Sequence, residues 1–326
     1  MRVANTMVYN MVQSNLENST RALNDAAETA ITGKRILALS DDPIGVSQSL
    51  GIRSGLDGFE QVERGISLGN TWLTASENAL TQSQNLITDT KTLAIQMANA
   101  SISPADRIAA AEIVQNTLEE IISLANTKVD DRYLFSGSKT NAAAFTLETK
   151  NDPAAVEPIN TITYNGDETP FSIKIGDSTV AIGNNGDEIF TKMFETLANF
   201  KIALINNTLV GTPGIPAVEA STGPPVVEAI EAIPPIPGIQ DAMDNLDGDF
   251  EILNGAITSV GTKMNRMDIK EIIYQDLTLS ETARLSGIED ADITEAITNL
   301  QQKQLAYQAA LSASAKVMEL SLLDYV

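Results

Sequence analysis

Carboxylates are the side chains best equipped for chemistry in this chain. There are 43 Asp and Glu against 21 Lys and Arg, for a formal charge of −22. They gather at Ser40-Asp41-Asp42-Pro43, at Asp241 to Asp249, and at Glu289-Asp290-Ala291-Asp292. Adjacent carboxylates suit a hard cation, and a spaced pair suits glycoside hydrolysis. Neither pattern is complete. With Gly248 at position six of an EF-hand loop, position one would be Met243. A carboxylate pair is unspecific among so many acids. Histidine and cysteine are both absent. Their absence excludes imidazole acid–base catalysis, thiolate nucleophiles, Ser-His-Asp triads, disulfides and thiolate or imidazole zinc sites. No phosphate-binding glycine loop and no G-x-S-x-G is present. The expectation is therefore no catalytic residue, no cofactor and no metal, in a protein that is not an enzyme. Asp41, Asp42 and Pro43 read instead as a helix cap. Gly33 ends one helix, Pro43 opens the next, and the carboxylates face its free N–H groups.

So acidic a chain is repelled by phosphate, which argues against nucleic-acid and anionic-membrane partners. No run approaches 18 apolar residues, and the first residues lack a continuous apolar core of a secretory signal. The expectation is a chain that is cytoplasmic or exported without a cleaved signal. Hydrophobic content is 43% but aromatics are only 5%, so the core must be aliphatic, as in helical bundles and coiled coils.

Proline sets the organisation. Ten of the 12 prolines lie between Pro153 and Pro237, so both flanks are free to form long helices and the middle is not. In the second flank Met243, Leu246, Phe250, Leu253, Ile257, Val260, Met264 and Met267 alternate spacings of 3 and 4. That is a coiled-coil seam. In the first flank Leu73, Leu80 and Ile87 recur every seven residues. After a turn and cap at Ser103-Pro104-Ala105-Asp106, a stripe runs through Ala111, Val114, Leu118, Ile121, Ala125 and Val129. The two ends carry little charge. Val8, Val12, Leu16 and Leu23 line one helix, and Tyr307, Leu311, Met318 and Leu322 line another that is apolar around much of its girth. One partner helix cannot cover it, so other copies of the chain are implied. Between the flanks, short β-prone runs at 144–149, 159–164, 171–175 and 179–182 are separated by Asn-Gly and Gly-Asp turns, and a helix is expected at 187–206. Residues 211–238 read as an extended proline-rich return.

The fold class expected is mainly α: a long helical coiled-coil bundle built by the two arms, with a small β-rich domain inserted. Its expected parts are an N-terminal helix at 1–40 that pairs with a C-terminal helix at 293–326, bundle segments at 41–137 and 239–292, and the inserted domain at 138–238.

Several stretches together resemble the flagellin superfamily. They are Ile31-Thr-Gly-Lys-Arg-Ile36 with Ser40-Asp-Asp-Pro43, Thr71-Trp-Leu73 with Glu77 and Leu80, and Leu124-Ala-Asn-Thr127 leading to Arg132-Tyr-Leu-Phe-Ser-Gly137. Ser286-Gly-Ile-Glu-Asp-Ala-Asp-Ile293, Tyr307-Gln-Ala-Ala-Leu311 and Ser321-Leu-Leu-Asp-Tyr325 complete the set. Pro43 and the 133–137 motif depart from the filament subunits and resemble the branch that joins hook to filament. The resemblance implies a structural subunit of the extracellular flagellum that assembles as a homo-oligomeric ring. It would lie between an adjacent hook-associated protein and flagellin, and template flagellin polymerisation. It also implies export by the flagellar type III apparatus, with a cytoplasmic chaperone holding the C-terminal helix. A flagellin-type filament subunit is the alternative. An enzyme or binding module in the 138–238 insert is a further one.

Overall fold

The computed structural model describes residues 2–150, 159–211 and 238–323, with side-chain burial described at residue 7 and over 9–147, 162–211 and 238–316. Its helices are α1 (Arg2–Thr32), α2 (Pro43–Met97), α3 (Pro104–Ala125), α4 (Lys192–Ile205), α5 (Ile239–Glu289) and α6 (Ile293–Leu323). The strands are β1 (Lys128–Val129), β2 (Arg132–Tyr133), β3 (Phe145–Lys150), β4 (Ile159–Tyr164), β5 (Ser172–Ile175) and β6 (Ser178–Ala181). They form three antiparallel hairpins: β1 with β2, β3 with β4, and β5 with β6. A mainly helical chain with a small strand-bearing region is the expected class. The chain divides into two compact units, residues 1–60 with 274–326, and residues 61–273.

In the 61–273 unit, α2 shows why it is one long helix. A buried stripe runs through Val62, Ile66, Gly69, Leu73, Ser76, Leu80, Ser83, Ile87, Thr90, Ala94 and Met97, at strictly alternating spacings of 4 and 3, with Trp72 and Ala79 buried beside it. That stripe is a heptad seam. Its three hydroxyls cost little, because Ser76, Ser83 and Thr90 each donate to the carbonyl four residues back, at 2.8–2.9 Å. The pattern slips once, to spacings of 3 and 3 at Leu56, Phe59 and Val62, where the chain passes from one unit to the other. α3 begins at a Ser103 cap that accepts from the Asp106 N–H at 3.2 Å, with Pro104 in the first turn. Arg107, buried at the turn, donates to the carbonyls of Met97 (3.2 Å) and Asn99 (2.9 Å) and to Asn207. α3 stops at Ala125, four residues short of the expected stripe. Val129 belongs to β1, because Asp130 and Asp131 take left-handed φ angles of 49° and 61° and turn the chain into β2.

α5 runs antiparallel to α2, with Lys91 on Asp247 and Asn70 on Glu271. Here the structure corrects the seam. Leu246, Leu253, Val260 and Met267 are fully buried, whereas Met243, Ile257 and Met264 are half-buried and Phe250 is 39% exposed. A further column on that side has Ala242 and Asp249 buried and Ala256 and Lys263 half-buried. It faces the insert, and two of its members are polar, so hydrophobic spacing passes over it. Lys263 donates to the carbonyl of Gly183 at 2.9 Å and to Asn184, and Lys270 donates to Ser178 at 2.9 Å.

The insert is consequently no separate body. An aromatic cluster joins Phe135 to Phe190 and Phe145 to Phe194, each pair 5.0 Å between ring centres. Trp72 of α2 lies 4.7 Å from Phe171. β5 packs so closely on α2 that a Cβ at Gly69 would sit 2.9 Å from the Ile173 side chain. The expected boundary at 138 therefore falls inside the 61–273 unit. The insert's exit and return are pinned together, since Asp241 accepts from the N–H groups of Gly211 (3.0 Å) and Gly238 (3.1 Å). Most of the proline-rich return lies outside the described residues.

Asp249 is the anomaly of this face. It is 3% exposed, and its Oδ2 has no hydrogen-bond partner among the described residues. The nearby Thr196 hydroxyl also donates to the Lys192 carbonyl at 3.0 Å. Burial pushes the Asp249 carboxyl up to about 6. Its favourable contribution is present below the ordinary value of 3.8 and is lost as pH rises through about 6. We expect Asp249→Asn to exceed the parent in stability by about 1–3 kcal/mol at pH 8, the two converging as the buffer is acidified. Denaturant melts across pH check this. For the seam, Leu253→Asp should cost several kcal/mol and Phe250→Asp less than about 1 kcal/mol. Equal melting temperatures would return the seam to its expected face.

Candidate assembly interface

The unit formed by residues 1–60 and 274–326 is built around the terminal helices. The Ala291 N–H donates to the Gly33 carbonyl at 2.8 Å, which brings the end of α1 to the start of α6. The two helices therefore pack antiparallel. On α1 the covered stripe is Val12, Leu16, Leu23, Ala26 and Ala30; on α6 it is Ala296, Leu300, Tyr307, Ala310 and Ser314. Only the two alanines Ala26 and Ala296 on these stripes are fully buried. Of the expected interface residues, Val12, Leu16, Leu23 and Tyr307 lie half-buried along the pair. Leu311 lies off it at 49% exposure. The side chains of Val8, Met318 and Leu322 are outside the described residues. Much apolar surface stays open: Met7, Met11, Ile31, Ile293 and Leu305 are each more than half exposed. Such a surface is a candidate docking face.

Where α1 and α6 meet, two stretches 255 residues apart in the chain, at Lys34 and Glu289, form one polar site. Gly33 takes φ +68° and ends α1, as a left-handed residue does without steric cost. Lys34 then bridges to Asp290 as a short antiparallel pair, and the Arg35 N–H donates to the Glu289 carbonyl at 2.6 Å. The Glu289 side chain is the hub. It is 5% exposed and accepts two bonds from Arg53 of α2, at 2.7 and 3.1 Å, and one from Lys34 at 2.9 Å. The bonds from Arg53 first, with those from Lys34 and Ser49, hold its carboxyl down at about 2. Arg35 donates to the Ile288 carbonyl at 2.8 Å and lies 3.7 Å from Asp42. Nearby, Phe59 and Tyr274 meet edge to face at 5.7 Å.

The caps divide differently from expectation. Asp42 caps α2, accepting from the Gly45 N–H at 2.9 Å, with Pro43 in the first turn. Asp41 turns back instead, accepting from Ala38 at 2.8 Å and Leu37 at 3.0 Å. Those N–H groups hold its carboxyl below the usual carboxylate range. Asp292 caps α6 through Thr294 (2.8 Å) and Glu295 (3.2 Å). Sequence reading takes Glu289-Asp290-Ala291-Asp292 for a cap or a charged turn before Ile293; Asp292 is such a cap, whereas Glu289 belongs to the hub. The signal that would have singled it out is its place beside a half-buried stripe, at Tyr274, Thr278, Glu281, Leu285 and Ile288, that extends to the end of α5. Among the described residues no group of three or more His, Cys, Asp or Glu is placed to hold a metal, and no helix is long and apolar enough to cross a membrane. An open groove between α2 and α3, lined by Asp89, Thr90, Leu93, Gln96, Ile113 and Thr117, brings together no acid–base pair.

Residues 3–140 match the family model described as the bacterial flagellin N-terminal helical region. Over nearly its whole length the chain also resembles flagellar hook-associated protein 3. It is 26% identical to the Escherichia coli protein of that name, over 99% of this chain and 98% of that one. Polar flagellin F of Vibrio parahaemolyticus is 30% identical, over 43% of this chain and 36% of its own. The crystal structure of Bacillus cereus FlgL superposes with a TM-score of 0.54 at 20% identity, covering 72% of this chain and 99% of that one.

The hub yields a pH test. Glu289 contributes fully above its ordinary value of 4.5, and the contribution is lost as pH falls toward about 2. Glu289→Gln should lower stability by roughly 1–3 kcal/mol at pH 7 and flatten the acid limb of the melt between those values. An unchanged acid limb would remove Glu289 from the hub.

Proposed function

We propose that this protein is a structural subunit of the bacterial flagellum, assembling as the zone that joins hook to filament and templates flagellin growth. The observation that carries the reading is the open α1–α6 pair, whose apolar side chains remain largely exposed, in a chain similar to hook-associated protein 3 from end to end. The pair is completed by copies of the same chain, arranged as a ring, so ordering and assembly are coupled. One end of the ring meets the preceding hook-associated protein and the other meets flagellin. Before assembly a cytoplasmic chaperone covers α6, where Leu305 is 71% exposed, and the chain leaves through the flagellar type III export apparatus to the cell exterior.

A filament subunit is the second reading, favoured by the flagellin match over residues 3–140. The two differ in self-stacking. A filament subunit adds to itself without limit, whereas a junction subunit must present different surfaces above and below. Purified protein should form no long filaments under conditions that polymerise flagellin from the same cells. Cells lacking it should keep hooks but release unpolymerised flagellin, and truncation after Asn299 should reproduce that loss. Long homopolymers, or normal filaments on cells without the protein, would favour the filament reading.

A further inference from the structure

Two thioethers stand on the open terminal face. Met7 is 74% exposed and Met11 66%, and four residues of helix place both side chains on one side of α1. The other methionines whose side chains are described are sheltered. Met97, Met193 and Met267 are buried, and Met243 and Met264 are half-buried. The chain has no cysteine to consume an oxidant first, and its single tryptophan, Trp72, is 1% exposed.

We propose that Met7 and Met11 form an oxidation-sensitive site that controls burial of the α1 face. A hydroperoxide is the co-reactant. Its O–O bond breaks, one oxygen forms a bond to the thioether sulfur, and water or an alcohol leaves. The sulfur loses two electrons and the peroxide gains them. The product sulfoxide is polar and accepts hydrogen bonds. On a monomer it is solvated without penalty. Under a neighbouring subunit, in a contact made of aliphatic side chains, it must be dehydrated with no donor opposite. Oxidation therefore leaves the free subunit folded and weakens its incorporation. Incorporation in turn shields the sulfurs. This inference rests on the assembly reading above.

The test has two arms. In the first, purified full-length protein is treated briefly with hydrogen peroxide and its peptides are mapped by mass. Met7 and Met11 should gain an oxygen at least about tenfold faster than Met193 and Met267. Equal rates would overturn the site. In the second arm, treated and untreated protein is sedimented with isolated hooks that carry the preceding hook-associated protein, alongside Met7→Leu/Met11→Leu. Untreated protein and the double variant should co-sediment, and peroxide should reduce binding severalfold for the parent alone. Equal binding of oxidised and untreated parent would overturn the inference. An equal loss in the treated double variant would move the effect to other residues and overturn it as well. Failure of untreated protein to bind would count against the assembly reading itself, while the peptide map still decides the order of oxidation.

Discussion

The antiparallel pairing of α2 with α5 is the constraint on which the rest of the molecule depends. Each helix carries a seam that water cannot be allowed to wet, and each is too long to be covered by a short element. Their pairing brings Arg53 to Glu289 and Phe59 to Tyr274 in one unit, and Asn70 to Glu271 and Lys91 to Asp247 in the other. Once that pairing is made, the remaining elements have few places to go. α3 folds back after Pro104, and the insert must leave and return at Gly211 and Gly238.

Two buried carboxylates on α5 show how environment decides the worth of a charge. Glu289 has a guanidinium and an ammonium against it, so its ionised form is favoured and joins three segments. Asp249 is as deeply buried but has one shared hydroxyl and an unpaired oxygen, so its ionised form is disfavoured. The first is what a buried ion pair with adequate hydrogen bonds achieves, the second what burial alone does. Their opposite pH dependences follow from that difference and lie in different units of the chain.

The motifs that carry the flagellin-like resemblance have physical roles here. Thr32-Gly33-Lys34-Arg35 and Ser286 to Asp292 meet at one hub, where Gly33 supplies the left-handed turn and Glu289 the charge. Trp72 is the plate on which Phe171 rests. The Arg132 to Gly137 run makes the hairpin and sends Phe135 into the aromatic cluster. The motifs are thus spent on joints, while the terminal helices keep much of their apolar surface exposed.

Heptad spacing, proline placement and turn dipeptides were enough to read the helical arms, the β-prone runs between them and the helix after Asn185, because each depends on local periodicity or backbone chemistry, but not the β1–β2 hairpin, whose Val129 continued a helical stripe. They also mark the C-terminal helix as apolar on several sides, which is the ground for proposing partners there. Tertiary structure alone decided which face of α5 is buried. Apolar spacing pointed to Phe250 and Ile257, but the insert supplies polar partners for Lys263 and a close wall for Asp249, and so rotates the buried side toward them. It also decided that Asp41 closes a loop while Asp42 caps a helix, and that Glu289 is a hub and no mere turn residue. Those outcomes depend on groups far away in the chain, and a charge reveals nothing about its partner until the fold brings the two together.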